Sequence, residues 1–245
     1  MKKLTAFIFL FMLYVSAWSQ QQAVLSQQQA RWEVSASAQA AKLSNIDKEF
    51  SSLPFSALLP GGGISIKYLG EHFTHGLQAS YIGGSVQTSS HPAYRQDQRY
   101  LNIDYTGLYL LGTPDAAWRG GAGLTLQTLY DERTYPELIN HNNTYDFAAS
   151  LGLAGSITHS FNNIWSLSDQ LRLPFVAWLA EPDDGRHVGS FSSFTRIKNA
   201  LSINWNVSMH NKLSLTYDWD YYRIAGQRDV RQACHRMELA YHLIF

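Results

Sequence analysis

The chain ends Ala233-Cys234-His235-Arg236-Met237-Glu238-Leu239-Ala240-Tyr241-His242-Leu243-Ile244-Phe245. From residue 233 the odd positions are mostly apolar (Ala233, His235, Met237, Leu239, Tyr241, Leu243, Phe245), while the even ones carry Cys234, Arg236, Glu238, Ala240, His242 and Ile244. Side chains of a β-strand point alternately to its two faces, so this run predicts a strand whose faces meet different surroundings.

The same period of two continues upstream. Leu213, Leu215, Tyr217, Trp219 and Tyr221 oppose Ser214, Thr216, Asp218 and Asp220, and Leu201, Ile203, Trp205 and Val207 oppose Lys198, Ser202, Asn204 and Asn206. Seven weaker segments follow the rule around Trp32–Gln39, Ile64–Tyr68, Leu77–Tyr81, Leu101–Tyr109, Trp118–Gln127, Tyr145–Ile157 and Leu171–Leu179. No apolar run beyond residue 19 is long enough for a membrane-spanning helix, which needs about 20 residues. The pattern predicts ten strands of about 9–11 residues, with eight or twelve as alternatives. Twelve would require two more strands inside 41–60, where Phe50, Leu53, Phe55, Leu58 and Leu59 lie.

Connector lengths alternate too. Short links fall near 71–75, 112–116, 158–163 and 209–211, and longer polar ones near 41–60, 88–98, 131–144, 181–193 and 225–231. Gly61-Gly62-Gly63 after Pro60 reads as a turn opening the second strand. Short turns on one side and long loops on the other are the asymmetry of an up-and-down membrane barrel with both termini on the turn side. Two places fit poorly: Pro174 lies inside a strand, and Asp169 has the parity of the apolar face. A bulge near 169–174 would repair both.

The N-terminus carries Lys2 and Lys3, an apolar run from Leu4 to Val15 and then Ala17-Trp18-Ser19. This is the layout of a secretory signal peptide over 1–19, and about twelve apolar residues are too few to span a bilayer. Residues 20–30 are rich in glutamine and read as a flexible periplasmic extension, leaving 31–245 for the barrel. Over the 245 residues 19 basic side chains balance 19 acidic ones, which argues against a basic nucleic-acid binder. One cysteine excludes an internal disulfide framework and a multi-cysteine zinc site.

Charge decides which face meets lipid. The polar faces hold Glu33, Lys67, Asp104, Arg119, Asp146, Arg172, Arg196, Lys198, Asp218, Asp220, Arg236 and Glu238, and the assigned apolar faces hold none of these residue types. A soluble sandwich would show the charges to water, whereas a membrane barrel keeps its polar face inside. Tyr109, Trp118, Trp205, Tyr241 and Phe245 fall at the turn end of their strands, and Tyr81, Tyr145, Trp219 and Tyr221 toward the loop end, which predicts two aromatic girdles.

With these residues in view, the run Met237, Leu239, Tyr241, Leu243 and Phe245 resembles the C-terminal signal of bacterial outer-membrane β-barrel proteins. The resemblance implies insertion by the barrel-assembly machinery, contact with outer-membrane lipids and long loops outside the cell. It selects no subfamily and no function.

Ten strands enclose a narrow interior, so the balanced inward charges are expected to pair across the lumen rather than line a wide pore. In the last hairpin, pairing Asp218 with Arg236 and Thr216 with Glu238 matches opposite charges, whereas a shift of two residues sets Asp218 against Glu238. No reactive constellation stands out. Asp218 and Asp220 with His187 or His235 are the nearest equivalents of the acidic pairs and histidine of ten-stranded outer-membrane proteases, a family this chain resembles in strand number. His159-Ser160 and His187 with Ser190 would serve a lipid-modifying hydrolase, and His141 with Asp131 and Glu132 a cation. No catalytic residue, metal ligand or cofactor is assigned. The sequence favours a non-enzymatic barrel that presents loops or docks beside an outer-membrane protein partner. Small outward residues Ala36, Ala38 and Ala40 suit such packing. The alternatives are a narrow porin-like channel and an outer-membrane enzyme.

Overall fold

The computed structural model describes residues 31–48, 51–88, 94–113, 116–137, 143–181, 185–190, 192–225 and 229–245. Eleven strands occur there: β1 (Arg31–Asp47), β2 (Ser51–Leu69), β3 (Phe73–Thr88), β4 (Arg95–Leu111), β5 (Trp118–Thr134), β6 (Asn143–Ser160), β7 (Trp165–Glu181), β8 (Gly185–Ser190), β9 (Phe194–Asn206), β10 (Asn211–Ile224) and β11 (Val230–Ile244). All pairs are antiparallel. β1 joins β2 on one side and β11 on the other, and β6 joins β7, so the sheet closes on itself. The lower part of β7 pairs with β9 and its upper part with β8. β8, ending at Ser190, and β9, beginning at Phe194, therefore make one stave, and the described barrel has ten staves.

Apart from β8, the strands run to 13–19 residues and so exceed the expected 9–11. The 41–60 stretch is strand at both ends rather than a long connector or an extra hairpin. β1 continues to Asp47 and β2 starts at Ser51, with Gly61, Gly62 and Gly63 paired to Gln39, Ala38 and Ser37. These glycines are strand residues, not a turn. At Gly61 a Cβ would lie 2.5 Å from the Tyr81 carbonyl oxygen, so only glycine lets β3 approach. Pro60 sits where the β2–β3 ladder is interrupted, between Ser56↔Gln87 and Gly61↔Ile82, so its missing N–H breaks no bond there. The 181–193 connector likewise contains β8.

The hairpin register has Asp218 opposite Arg236 and Thr216 opposite Glu238, as charge matching predicts. The expected bulge exists but lies higher than expected. The β6–β7 register jumps between Leu151↔Val176 and Gly152↔Pro174, leaving Phe175 as the extra residue. Here Gly152 is required, because its Cβ would come 2.6 Å from Pro174 Cα. The bulge flips parity above it, so Ala177 and Leu179, expected on the apolar face, are buried inside and Trp178 faces out. It leaves Asp169 untouched. That residue pairs with the exposed Ile157 and Leu201, and its carboxylate accepts the Asn199 amide at 2.7 Å on the outer wall.

Apart from Asp169 and Asn199, the outward side chains of the lower wall are mostly apolar, among them Val34, Ile64, Leu77, Ile103, Leu124, Leu153, Leu171, Ile203, Leu215 and Leu239. Aromatic side chains ring the turn end: Trp32 against Tyr68, Phe73 against Tyr109, Trp118 against His159, and Trp165 against Trp205. Tyr130 with Tyr145 and Phe147 with Trp178 pack nearer the loop end, where Trp219 and Tyr221 are half-buried. Above them the outer wall turns polar, with Lys42, Ser85, Asp97, Arg99, Glu132 and Arg231.

Candidate functional site

The interior has three storeys. At the turn end lies a polar cavity of about 400 Å³, lined by residues such as Gln78, Thr106, Ser168, Asn204 and Arg119. Glu33 is held on its wall by Lys212, by His242 Nδ1 at 2.9 Å and by Lys67 at 3.9 Å. His242 Nε2 in turn meets the Ser214 hydroxyl at 2.7 Å. Arg119 stays at the rim, donating to the Glu71 carbonyl.

The middle storey is a charge network spanning the barrel. Asp104 on β4 accepts from Lys198 at 2.5 Å and Arg172 at 2.9 Å. Lys198 stands 4.0 Å from Asp218, which Arg236 meets at 2.9 Å. Arg236 also donates to Ser80 and Gln39, and Gln39 passes its amide to Glu238 at 2.7 Å. Arg196 grips Asp220 through Nε at 2.9 Å and Nη2 at 2.6 Å, and Tyr100 donates to the same carboxylate. Arg196, Lys198 and Arg236 are each 1% exposed, so the carboxylates and the few polar side chains of the network stand in for water. Removing one partner of such a pair costs about 3–5 kcal/mol.

The third storey, at the loop end, is an apolar core. Leu43, Phe55, Leu59, Ile82, Val86, Leu129, Leu179, Phe194, Ile224 and Val230 are buried together around the stacked rings of Tyr100 and Tyr222. Within it lies a second polar cluster. Arg133 faces Asp146, Asp47 at 3.1 Å and Asp131 at 3.8 Å, and Tyr222 donates to Asp131 at 2.5 Å. Gln98 joins Asp131 to Gln232 and accepts from Asn45.

Of the charges read from the sequence, Asp104, Arg172, Lys198, Asp218, Asp220, Arg236 and Arg196 meet in the middle storey and Asp146 in the upper. Glu33 and Lys67 meet below. Glu238 takes an amide instead of a cation, and Arg119 lies apart. Arg133, Asp131, Asp47, Lys212 and His242 were missed. The first three fall in stretches read as loops, although Leu129, Asp131, Arg133 and Tyr135 keep the alternation and would have extended the strand.

The reactive groupings come apart. His235 is on the outer wall against the Tyr217 hydroxyl, whereas Asp218 and Asp220 point into the lumen. His159 stacks on Trp118 outside, on the face opposite Ser160. Asp131 is buried while its neighbour Glu132 faces out, and His141 and the His187 side chain lie outside what the structure describes. Among the described residues no group of three acidic, histidine or cysteine side chains is placed to hold a metal.

No protein-family model and no curated protein matches the chain. Solved structures show likeness of architecture. Neisserial surface protein A is 13% identical, with 88% of this chain and 99% of that one covered at a TM-score of 0.44. An outer membrane channel from Pseudomonas putida F1 is 12% identical over 91% and 98% at 0.43. The transport unit of the autotransporter AIDA-I from Escherichia coli is 9% identical over 94% and 96% at 0.42. These neighbours are outer-membrane β-barrel proteins. The assignment of this chain as a closed ten-stave barrel rests on its own strand register.

Proposed function

We propose that the protein is a non-enzymatic barrel of the bacterial outer membrane that does not conduct and acts through its surface, presenting loops outside the cell or flanking a larger envelope complex. The observation that carries this reading is the blocked lumen: a paired-charge layer topped by an apolar core. An ion crossing it would have to break the buried ion pairs of the middle storey and then those around Arg133, which are packed among leucine, isoleucine, phenylalanine and valine. The apolar exterior and aromatic rings support a bilayer setting. In this reading residues 1–19 direct export, the termini face the periplasm, and the terminal run to Phe245 engages the barrel-assembly machinery.

A narrow channel is the second reading, favoured by the turn-end cavity that leads to Asp104 and Arg172. Planar-bilayer recording of the purified full chain separates the two. The proposed function expects no stable single-channel steps; reproducible steps of one unitary size overturn it in favour of the channel.

A further inference from the structure

Four cations crowd the outer wall at the loop end of β1, β10 and β11. Lys48, Arg223 and Arg231 converge on one carboxylate, Asp229, at 2.5, 2.9 and 2.9 Å. Lys42 lies lower on the same wall, paired in register with the exposed Leu58 and with His235, and makes no ion pair among the described residues. Among the described residues this patch sets one acid against four bases, a net positive charge. On the opposite wall the charges cancel, Arg95 with Asp97 and Arg99 with Glu132.

Directly below this patch the outer wall carries small side chains. Ala40, Ala38 and Ala36 descend from Lys42 along β1, beside Pro60 and Gly62 on β2, with Leu239 and Tyr241 rising as a ridge on β11. This row leads down to an apolar trough of about 400 Å³ that begins at Ala36 and is lined by Val34, Ile64, Ile66, Leu77, Tyr241 and Leu243. From Lys42 to Ala36 is on the order of 20 Å along the strand, or about 15 Å of depth after strand tilt. That is about half of a 30 Å hydrocarbon core.

We propose that this face binds a lipid bearing phosphate on its headgroup and several acyl chains, drawn from the leaflet on the loop side. The phosphates sit among Lys42, Lys48, Arg223 and Arg231, and one chain lies along the alanine row and ends at the trough. This rests on the outer-membrane reading above. A single ligand then satisfies both halves of the surface, since the cations need anions and the alanine row takes hydrocarbon of one-leaflet length.

The test uses the full chain in uncharged detergent micelles, titrated with diphosphorylated lipid A and followed by native mass spectrometry. Two variants are compared: the triple change Lys42→Gln, Lys48→Gln and Arg231→Gln, and the trough-filling Ala36→Phe. Both are exposed positions, and heat-modifiable gel migration checks that each still folds. The triple variant is expected to lose affinity by tenfold or more. Ala36→Phe is expected to weaken lipid A binding but to leave soluble inositol hexakisphosphate binding unchanged. Equal binding by parent and both variants, or equal binding of fully dephosphorylated lipid A, overturns the proposal. Loss only in the triple variant, with inositol hexakisphosphate binding as tightly as lipid A, replaces it with a polyanion site. A folded, membrane-inserted chain that binds no lipid A sinks this proposal alone; a chain that does not insert into bilayers sinks the outer-membrane reading with it.

Discussion

The turn-end and loop-end parts of this barrel are built from the same strands but are inside out relative to one another. On β1, Glu33 and Ser35 point inward below while Trp32 and Val34 face out. Higher up the same strand Ala41 and Leu43 point inward while Lys42 and Lys48 face out. β5 repeats the change, from inward Thr125 and outward Leu124 to inward Leu129 and outward Glu132. The lower part obeys the rule of a barrel in hydrocarbon, and the upper part that of a soluble barrel with an apolar centre. One alternating pattern serves both because the alternation says only that the two faces differ, not which solvent lies on which side.

Three tests, using four substitutions, would break or sharpen that contrast. The largest effect is expected at Arg133, the guanidinium shared by Asp47, Asp131 and Asp146 within the upper storey. Arg133→Met should destabilise the folded barrel by about 3–5 kcal/mol, read as a lower urea midpoint in micelles. Leu179→Ala, in the same core, should cost about 2–5 kcal/mol through the cavity it leaves, if this storey is packed as a soluble core is. A loss under about 0.5 kcal/mol would mean the core is not close-packed. The third compares two heights on the outer wall. Leu239→Arg places a charge in the lipid band and should cost about 2–4 kcal/mol, whereas Gln87→Arg, on the polar outer wall, should change stability by less than about 0.5 kcal/mol. Equal costs at the two sites would show that the bilayer reaches higher, or lower, than the polarity change implies.

Much of this was legible from alternation alone. The ten staves, the hairpin register through Asp218 and Arg236, and the inward course of the charges follow from residue parity and pairing. The heights of the strands were not legible, since Pro54, Pro60 and three successive glycines in 51–63 carry the usual signals of a turn. Their tolerance inside β2 depends on β3 standing close at Gly61, a property of two strands rather than one. The parity flip at Phe175 was equally hidden: Leu179 looks lipid-facing until the extra residue is located. The cluster around Arg133 was lost with the strand ends, because Asp131 and Arg133 were assigned to a loop.

The closing seam has a consequence for biogenesis. β1 and β11 pair from Glu33↔Ile244 to Asp47↔Val230, and Phe245 exchanges both backbone hydrogen bonds with Trp32. The first stave therefore has no second neighbour until β11 has been made. Every storey of the interior borrows a wall from that seam, so no fragment lacking β11 can seal its own core, and closure must follow synthesis of β11. A chain stopped short of β11 would carry two open edges, a shape that exposes unpaired amides.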